Sequence, residues 1–575
     1  MDNVSIARLL TEAADLMELG QENPFKVRAY RNGAQVVAAL TQPVASMSAV
    51  QLRALPGIGK DLSAKLDEIA RTGTMASLAG LRAKTPVSLL DIKRLPGIGP
   101  ATLLTLWKDL GIATPTDLET AIRSGRLRAV RGFGEKKEAA LLKALAARTS
   151  VAARHLLADC RERAAALCAW LTEQVPEARV SIAGGIRRGT ETCTGVDIVA
   201  AGPRKAVDAA FRAYSLVETV EDVNDDIRSA RLWGGMEARL YMTAPETFGV
   251  ALLWRTGSET HIDQLVAHAA GKSVALTAVS LTQGGKPVAA ADEEAVYATL
   301  DLPWIPPELR EGAGEIETAA RRALPTLIEL SDLRGDLHMH TTASDGKVDA
   351  ETMAVAAREA GLEYIVITDH SNALPMVNGL DNERALEHAA AIRALDKRIS
   401  GIRVLAGIEC DILADGRMDL DDEVLQALDF VIASLHSGLT QPRDVATPRM
   451  VRAIENPWVD MIGHPTGRKL LRRDGADLDI DAVLDAAARH GVAMEINGQS
   501  DRLDLRPEHA RKARERGILI AIDSDAHSPR GMALKQWGVI MARRAGLSAD
   551  GCLNARPFAA FRKSLRRHKL LDAHE

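Results

Sequence analysis

The chain has 575 residues, 46% hydrophobic and 26% charged, an ordinary soluble balance spread over more chain than one core can organise. No run of about 18 apolar residues occurs, and the opening Met1-Asp-Asn-Val-Ser5 lacks a basic then apolar leader, so neither a membrane span nor a secretion signal is expected. Five scattered cysteines without Cys-x-x-Cys spacing argue against a disulfide framework and suit a reducing cytoplasm. The net charge of −5 is uneven: residues 1–150 carry 21 Lys+Arg against 14 Asp+Glu, and the remainder 51 against 63. The basic part is suited to a polyanion, the acidic part to metal ions.

Residues 1–150 read as helices joined by short turns. One element recurs: Leu55-Pro-Gly-Ile-Gly-Lys60, Leu95-Pro-Gly-Ile-Gly-Pro100 and the looser Val130-Arg-Gly-Phe-Gly-Glu135 each join two helices. The pairs Gly57 and Gly59, Gly97 and Gly99, Gly132 and Gly134 permit positive φ and close backbone approach. The helix that follows offers free N–H groups to a phosphate. The element resembles the helix-hairpin-helix motif, which holds DNA backbones without reading bases.

Beyond residue 150 the pattern changes. A helix over 155–175 leads to a strand at 179–183; Gly184 to Asp197 runs into a second strand, and 238–242 reads as another. Residues 252–258 cross into a helix, and a proline-bearing stretch around 300–333 reads as a linker with one helix. From 334 onward apolar runs such as Tyr364-Ile-Val-Ile367 and Phe430-Val-Ile-Ala433 alternate with helical segments, as in a β/α barrel. Nine metal-type ligands follow in order: His338, His340, Asp345, His370, Glu409, His436, His464, Asp525 and His527. Most follow the apolar runs, which puts them at strand C-terminal ends, where barrels place their chemistry. Thr341, Thr342 and Arg468, in Gly463-His-Pro-Thr-Gly-Arg468, are candidate substrate contacts.

On Phe25-Lys-Val-Arg-Ala-Tyr30, the first hairpin, the Gly184–Asp197 segment and Trp254-Arg-Thr-Gly-Ser258, the first 315 or so residues resemble the family X DNA polymerases. On its nine-ligand series the C-terminal part resembles the PHP (polymerase and histidinol phosphatase) family. The resemblance implies a multidomain protein: a lyase-like helical domain (1–80), a second helix-hairpin-helix domain (81–150), an α+β nucleotidyltransferase palm with thumb (151–315), a linker (316–333) and a distorted β/α PHP barrel (334–575). It implies three ions in the barrel, of manganese, zinc or iron. His338, His340, Glu409 and Asp525 would hold the first; Glu409, His436 and His464 the second; Asp345, His370 and His527 the third.

The family's palm pattern is Gly-Ser-x-Arg-Arg followed by Gly-Asp-x-Asp. Here Gly185 replaces the serine, Thr194 the later glycine and Gly195 the first aspartate, while Asp197 survives. The third aspartate aligns with Arg239, or with Glu237 after a two-residue shift. Two-metal chemistry needs that negative charge, so weak or absent nucleotide addition and no magnesium or manganese in the palm are expected. The alternative is a site rebuilt from Asp197, Glu237 and Asp225 or Asp226. Arg187 and Arg188 are kept as phosphate contacts. By the same resemblance Lys65, with Lys60 nearby, would be the Schiff-base lysine of a 5′-deoxyribose-phosphate lyase. The expected protein is a monomeric, cytoplasmic DNA repair enzyme acting on gapped, nicked or 3′-ended duplex, with a metal-dependent 3′-5′ exonuclease in the barrel. The alternatives are an active gap-filling polymerase with that exonuclease, a non-catalytic DNA-end binder, and a small-molecule phosphatase.

Overall fold

The computed structural model describes residues 3–566 except 39, 41–43, 73–74, 94, 96, 130–132, 151–153 and 374–376. The chain forms two compact units, one of residues 1–153 with 212–220 and 230–237, the other of the remaining residues from 154 to 575. Among the described residues no helix is long and apolar enough to cross a membrane.

The first unit is helical through residue 150, and its hairpins share one construction. The residue between the two glycines, Ile58, Ile98 or Phe133, is buried at 5–6% exposure in the common core. Burying such a side chain contributes about 2 kcal/mol, so the turn is pinned while Gly57, Gly59, Gly97, Gly99 and Gly134 stay at the surface. Gly57 and Gly97 take φ of +76° and +74°, the left-handed conformation that glycine adopts without penalty. The following helices are Lys60–Thr72, Pro100–Lys108 and Glu135–Ser150. Proline is suited to the first turn of the second helix, where its missing N–H is no loss.

The second unit opens with a helix, Leu157–Gln174, then the strand Arg179–Ile182, which pairs antiparallel with Gly195–Ala201 as part of a five-stranded sheet. The helices Phe248–Thr256, Glu259–Ala270 and Glu293–Thr299 and a small antiparallel sheet enclose a separate apolar core. Helix Glu315–Ala320 belongs to that core through Ile316 and Ala319, so the stretch read as a linker begins as packed structure. Ile328 is also buried, and its N–H donates to the Leu547 carbonyl at 2.9 Å.

The barrel contains seven parallel strands in sequential order: β1 (Gly335–Asp336), β2 (Tyr364–Ile367), β3 (Arg403–Asp411), β4 (Phe430–Ser434), β5 (Met461–Gly463), β6 (Ala493–Asn497) and β7 (Ile520–Asp523). A parallel bridge between Met339 and Ala526 draws the two ends together, and the His340 N–H donates to the Ala526 carbonyl at 2.8 Å. Strands β2 and β4 to β7 are buried at every position, as strands covered on both faces must be. An apolar layer including Tyr364, Val366, Phe430 and Ile432 fills the interior, and Phe561 from helix Phe558–Ser564 stacks on Tyr364 with ring centroids 4.7 Å apart. The polar layer that carries the chemistry lies at the other, C-terminal, ends of the strands.

Candidate metal centre and nucleic-acid interface

All nine ligand-type residues of the barrel converge. Glu409, near the end of β3, is the hub: its Oε1 lies 2.9 Å from His464 Nε2 and 3.3 Å from His436 Nε2, and its Oε2 lies 2.8 Å from His370 Nδ1 and 3.4 Å from His338 Nε2. Asp525 Oδ1 is 3.2 Å from His340 Nε2, and Asp345 Oδ2 is 3.4 Å from His527 Nε2. The rings of His370 and His527 lie against that of His340, with centroids 4.4 and 4.3 Å away. Side chains of Asp345 and His527 are 30% and 32% exposed and form the mouth; the other seven lie beneath.

The arrangement fits cations. His338 Nε2, both His340 ring nitrogens, His370 Nδ1 and both Glu409 oxygens are buried without a hydrogen-bond partner, a costly state unless something positive satisfies them. Four groupings have ligand atoms mutually within 4.8 Å: His340, Asp345, His370 and His527; His338, His464 and Asp525; His338, His340 and Glu409; His370, Glu409 and His436. These groupings overlap, and the expected Glu409, His436 and His464 also stay close, with Glu409 Oε1 2.9 Å from His464 and 3.3 Å from His436. His340 also faces the Asp345 group, His370 also faces Glu409, and His464 groups with His338 and Asp525. Imidazole with carboxylate suits zinc, manganese or iron.

Residues not anticipated from the sequence hold these side chains in place. His338 Nδ1 donates to Glu495 at 2.8 Å and His436 Nδ1 to Asp411 at 2.9 Å, which leaves each Nε2 facing the centre. Glu495 also accepts the His464 N–H, and Asn497 donates to Asp525 at 3.1 Å. Asp411 lies two residues beyond Glu409, and Asn497 two beyond Glu495; this spacing puts each pair on one strand face. His464 and Asp525 adopt φ of +26° and +51°, and such strain at non-glycine residues concentrates at functional sites. Gly463 has to be small, because a Cβ there would lie 2.6 Å from Ser434 Oγ.

Charge balance governs protonation. Burial works against ionisation, yet His436, His370 and His338 hold the Glu409 carboxyl well below the usual range, and His338 and His340 do the same for Asp525. Burial likewise opposes protonation of His436, but Glu409 and then Asp411 raise it to about 10; His527 is raised to about 8 against burial, chiefly by Asp345 and Asp525. Burial and neighbouring His370 push His340 down to about 4.

Several expected substrate contacts are already spent. Arg468, expected at a phosphate, is buried, donates to Glu191 at 2.5 and 3.2 Å, and donates to the carbonyls of Arg502 and Leu503. It ties the loop after β5 to the palm segment. Arg502 is the guanidinium at the centre: its Nε has no hydrogen-bond partner and lies 3.8 Å from Asp525 Oδ2. Thr341 gives its hydroxyl to Asp369 at 2.7 Å.

Arg187 and Arg188 are committed as well. Arg187 forms a two-pronged pair with buried Glu293 at 2.6 and 2.8 Å, and Arg188 binds Glu311 and the Thr256 carbonyl. Both are engaged within the protein and are not free phosphate contacts. Asp197 accepts from Tyr241 at 3.3 Å, and burial pushes its carboxyl upward although Arg239, Tyr241, Arg255 and Arg188 act in the opposite sense. Arg239 and Tyr241 share one face of strand Glu237–Thr243. A Cβ on Gly185 would lie 2.6 Å from Thr190 Oγ1, so the short helix Gly184–Arg188 has no room for a serine there without repacking. Asp226 is paired with Arg204.

In the first unit, Lys65 lies on helix Lys60–Thr72 with Nζ 2.8 Å from Glu68 and a side chain 25% exposed; Lys60 is exposed. Gly57, Gly59, Gly97, Gly99 and Gly134 are exposed, and a Cβ at Gly57, Gly59, Gly99 or Gly134 would meet nothing within 4 Å. Gly132 lies outside the described residues.

Comparison with known proteins agrees with this architecture. Residues 1–75 match a helix-hairpin-helix domain, 89–147 a SAM-like helix-hairpin-helix tandem, 251–311 a DNA polymerase beta thumb and 336–499 a PHP domain. The chain is 35% identical over 574 residues to "DNA polymerase/3'-5' exonuclease PolX" of Bacillus subtilis (strain 168), covering 99% of this chain and 100% of that one. The barrel region is 34% identical over 232 residues to a "Probable phosphatase" of Thermoanaerobacter sp. (strain X514), covering 38% of this chain and 89% of that one. It is 34% identical over 205 residues to "Probable phosphatase YcdX" of Escherichia coli (strain K12), covering 34% and 78% respectively. With helix-hairpin-helix elements, a polymerase thumb and a PHP barrel in one order along nearly the whole length of its relative, the chain belongs to the PolX group of family X DNA polymerases with a C-terminal PHP domain.

Proposed function

We propose that the barrel centre binds divalent ions and removes nucleotides from DNA 3′ ends, and that the palm no longer adds them. The observation that carries the first part is the set of nine converging side chains, among which His338 Nε2, both His340 nitrogens, His370 Nδ1 and both Glu409 oxygens are buried without partners while Glu495 and Asp411 fix the imidazoles of His338 and His436 from behind. Bound divalent ions neutralise phosphodiester charge and lower the pKa of water to supply hydroxide near neutral pH. The chain's own part is to hold three ions with the nine ligands, to keep Glu409 and Asp525 ionised, and to offer Arg502 to a phosphate oxygen. Asp345 and His527 at the mouth receive the strand end.

The second part rests on lost charge. Asp197 stands among Arg188, Arg239 and Arg255, and Gly185 and Gly195 supply neither hydroxyl nor carboxylate. The hairpins of residues 1–150 grip the backbone of gapped or nicked duplex, by exposed glycines and helix N-termini. Lys65 is the proposed lyase nucleophile, to be tested by borohydride trapping on a cleaved abasic substrate with Lys65→Ala as control. The protein acts as a monomer in the cytoplasm, consistent with five unpaired cysteines.

The deciding experiment is digestion of a 3′-recessed duplex by protein stripped with chelator and reloaded with manganese, beside small phosphate monoesters. Metal-dependent release of nucleotides from the 3′ end is expected; cleavage of monoesters alone would sink the DNA reading. The name of the Bacillus subtilis relative favours a second reading, an active gap-filling polymerase. Primer extension with magnesium or manganese separates the two, and efficient templated extension would overturn the inactive palm.

A further inference from the structure

The loop after β5, which follows His464 of the metal centre, forms much of the wall of a polar cleft of about 770 Å³. Arg468 and Lys469 in its wall follow His464 by four and five residues, and Arg506 follows Arg502, the guanidinium beside Asp525, by four. Arg468 fastens these two wall segments together through the carbonyls of Arg502 and Leu503.

The cleft is electropositive after its internal pairs are discounted. Arg443 pairs with Asp477 at 2.8 Å, Lys469 with Asp501 at 2.9 Å and Arg468 with Glu191. Among the described residues, Arg472, Arg473 and Arg506 have no carboxylate partner, against one unpaired lining carboxylate, Asp474. Arg473 donates to the Gly467 carbonyl at 2.7 Å, whereas Arg472 and Arg506 are exposed. The His509 Nδ1 is buried without a hydrogen-bond partner. Three helices, Arg443–Glu455, Ile480–His490 and Pro507–Glu515, begin at this cleft, and the first and third have no side-chain cap. Their positive ends add to the field. Among the described residues no Phe, Tyr or Trp lines the cleft, so its grip falls on phosphates and not on stacked bases.

We propose that this cleft is a strand-binding subsite that holds the phosphodiester backbone of the single strand whose 3′ end lies at the metal centre, with Arg472 and Arg506 as its principal phosphate contacts. This subsite rests on the proposed nuclease reading. It makes digestion processive with respect to strand length and indifferent to base sequence.

The test uses the full-length, manganese-loaded protein with a labelled dinucleotide and a labelled hexanucleotide as single-stranded substrates, comparing wild type with Arg472→Glu, Arg506→Glu and the double variant. Wild type is expected to have a lower KM for the hexanucleotide. Each single variant should raise that KM by about fivefold to tenfold and reduce its dependence on log salt by about one unit. The double variant should erase the preference for the longer strand. An unchanged hexanucleotide KM and salt slope in the double variant would overturn the proposal. So would a fall in dinucleotide kcat as large as that for the hexanucleotide, since the change would then act on the metal centre. If wild type cleaves neither substrate, the nuclease reading fails. Fluorescence anisotropy of the labelled hexanucleotide then judges the cleft separately: weaker binding by the double variant supports it and equal binding overturns it.

Discussion

The barrel centre and the palm each place carboxylates in a buried setting, and they differ in what surrounds them. In the barrel, imidazoles pack directly against Glu409 and Asp525 and hold both carboxyls well below the usual range despite burial. In the palm, Asp197 has a phenol and several guanidiniums as neighbours, and burial prevails, pushing its carboxyl up. A carboxylate recruits cations only while ionised. The barrel thus holds a charged, oriented set, whereas Asp197 stands beside guanidiniums, which repel metal.

The largest expected effect breaks the barrel side of this contrast. Asp525→Ala or His338→Ala should lower manganese-dependent nuclease activity by roughly three orders of magnitude, measured on a 3′-recessed duplex; full activity in both variants would remove the centre from the reaction. Smaller, and sharper as a test of orientation, is Glu495→Gln, which weakens the acceptor behind His338. It should reduce metal affinity about 10- to 100-fold, read by metal titration, with the fold retained by circular dichroism.

The raised histidines give a pH signature. Protons compete with metal at His527, raised to about 8, and at His436, raised to about 10. Affinity for manganese should therefore rise with pH between about 6 and 8, with proton release on binding. Calorimetry in buffers of differing ionisation enthalpy measures that release, and a pH-independent affinity would contradict the assignment.

The smallest expected effect belongs to the palm and thumb. Burial alone would raise the Glu293 carboxyl, but Arg310 and then Arg187 hold it down to about 2. Because the folded value lies below the unfolded one, this stabilisation is present above pH 4.5 and is lost as pH falls toward 2. Glu293→Gln should flatten the acid side of the denaturation profile by a few kcal/mol at most.

The metal-type side chains were legible because each stands in a short polar motif after an apolar run, and strand ends converge in a parallel barrel. Glu495 and Asp411 were not, since a single acid inside a strand reads like any polar strand position; the period-two pairing with Asn497 and Glu409 was the available signal. Arg187 and Arg468 were misjudged for a different reason. An arginine's motif is local, but its partners here are 106 residues away at Glu293 and 277 away at Glu191. Ion pairs that close only in three dimensions leave no spacing to read. The helical character of residues 1–150, by contrast, follows from local periodicity and glycine placement alone.

The bond between Arg468 and Glu191 constrains how the protein can be divided. Arg468 is 3% exposed, and its carboxylate partner belongs to the palm. Arg543 and Arg544 likewise reach back to Glu308 and Glu311. Severing the chain ahead of residue 334 would strip all three guanidiniums of these acids at once, leaving cationic side chains facing a newly bared surface. A barrel expressed alone should accordingly be less stable than the same barrel in the intact chain, whose central residues supply its counter-charge.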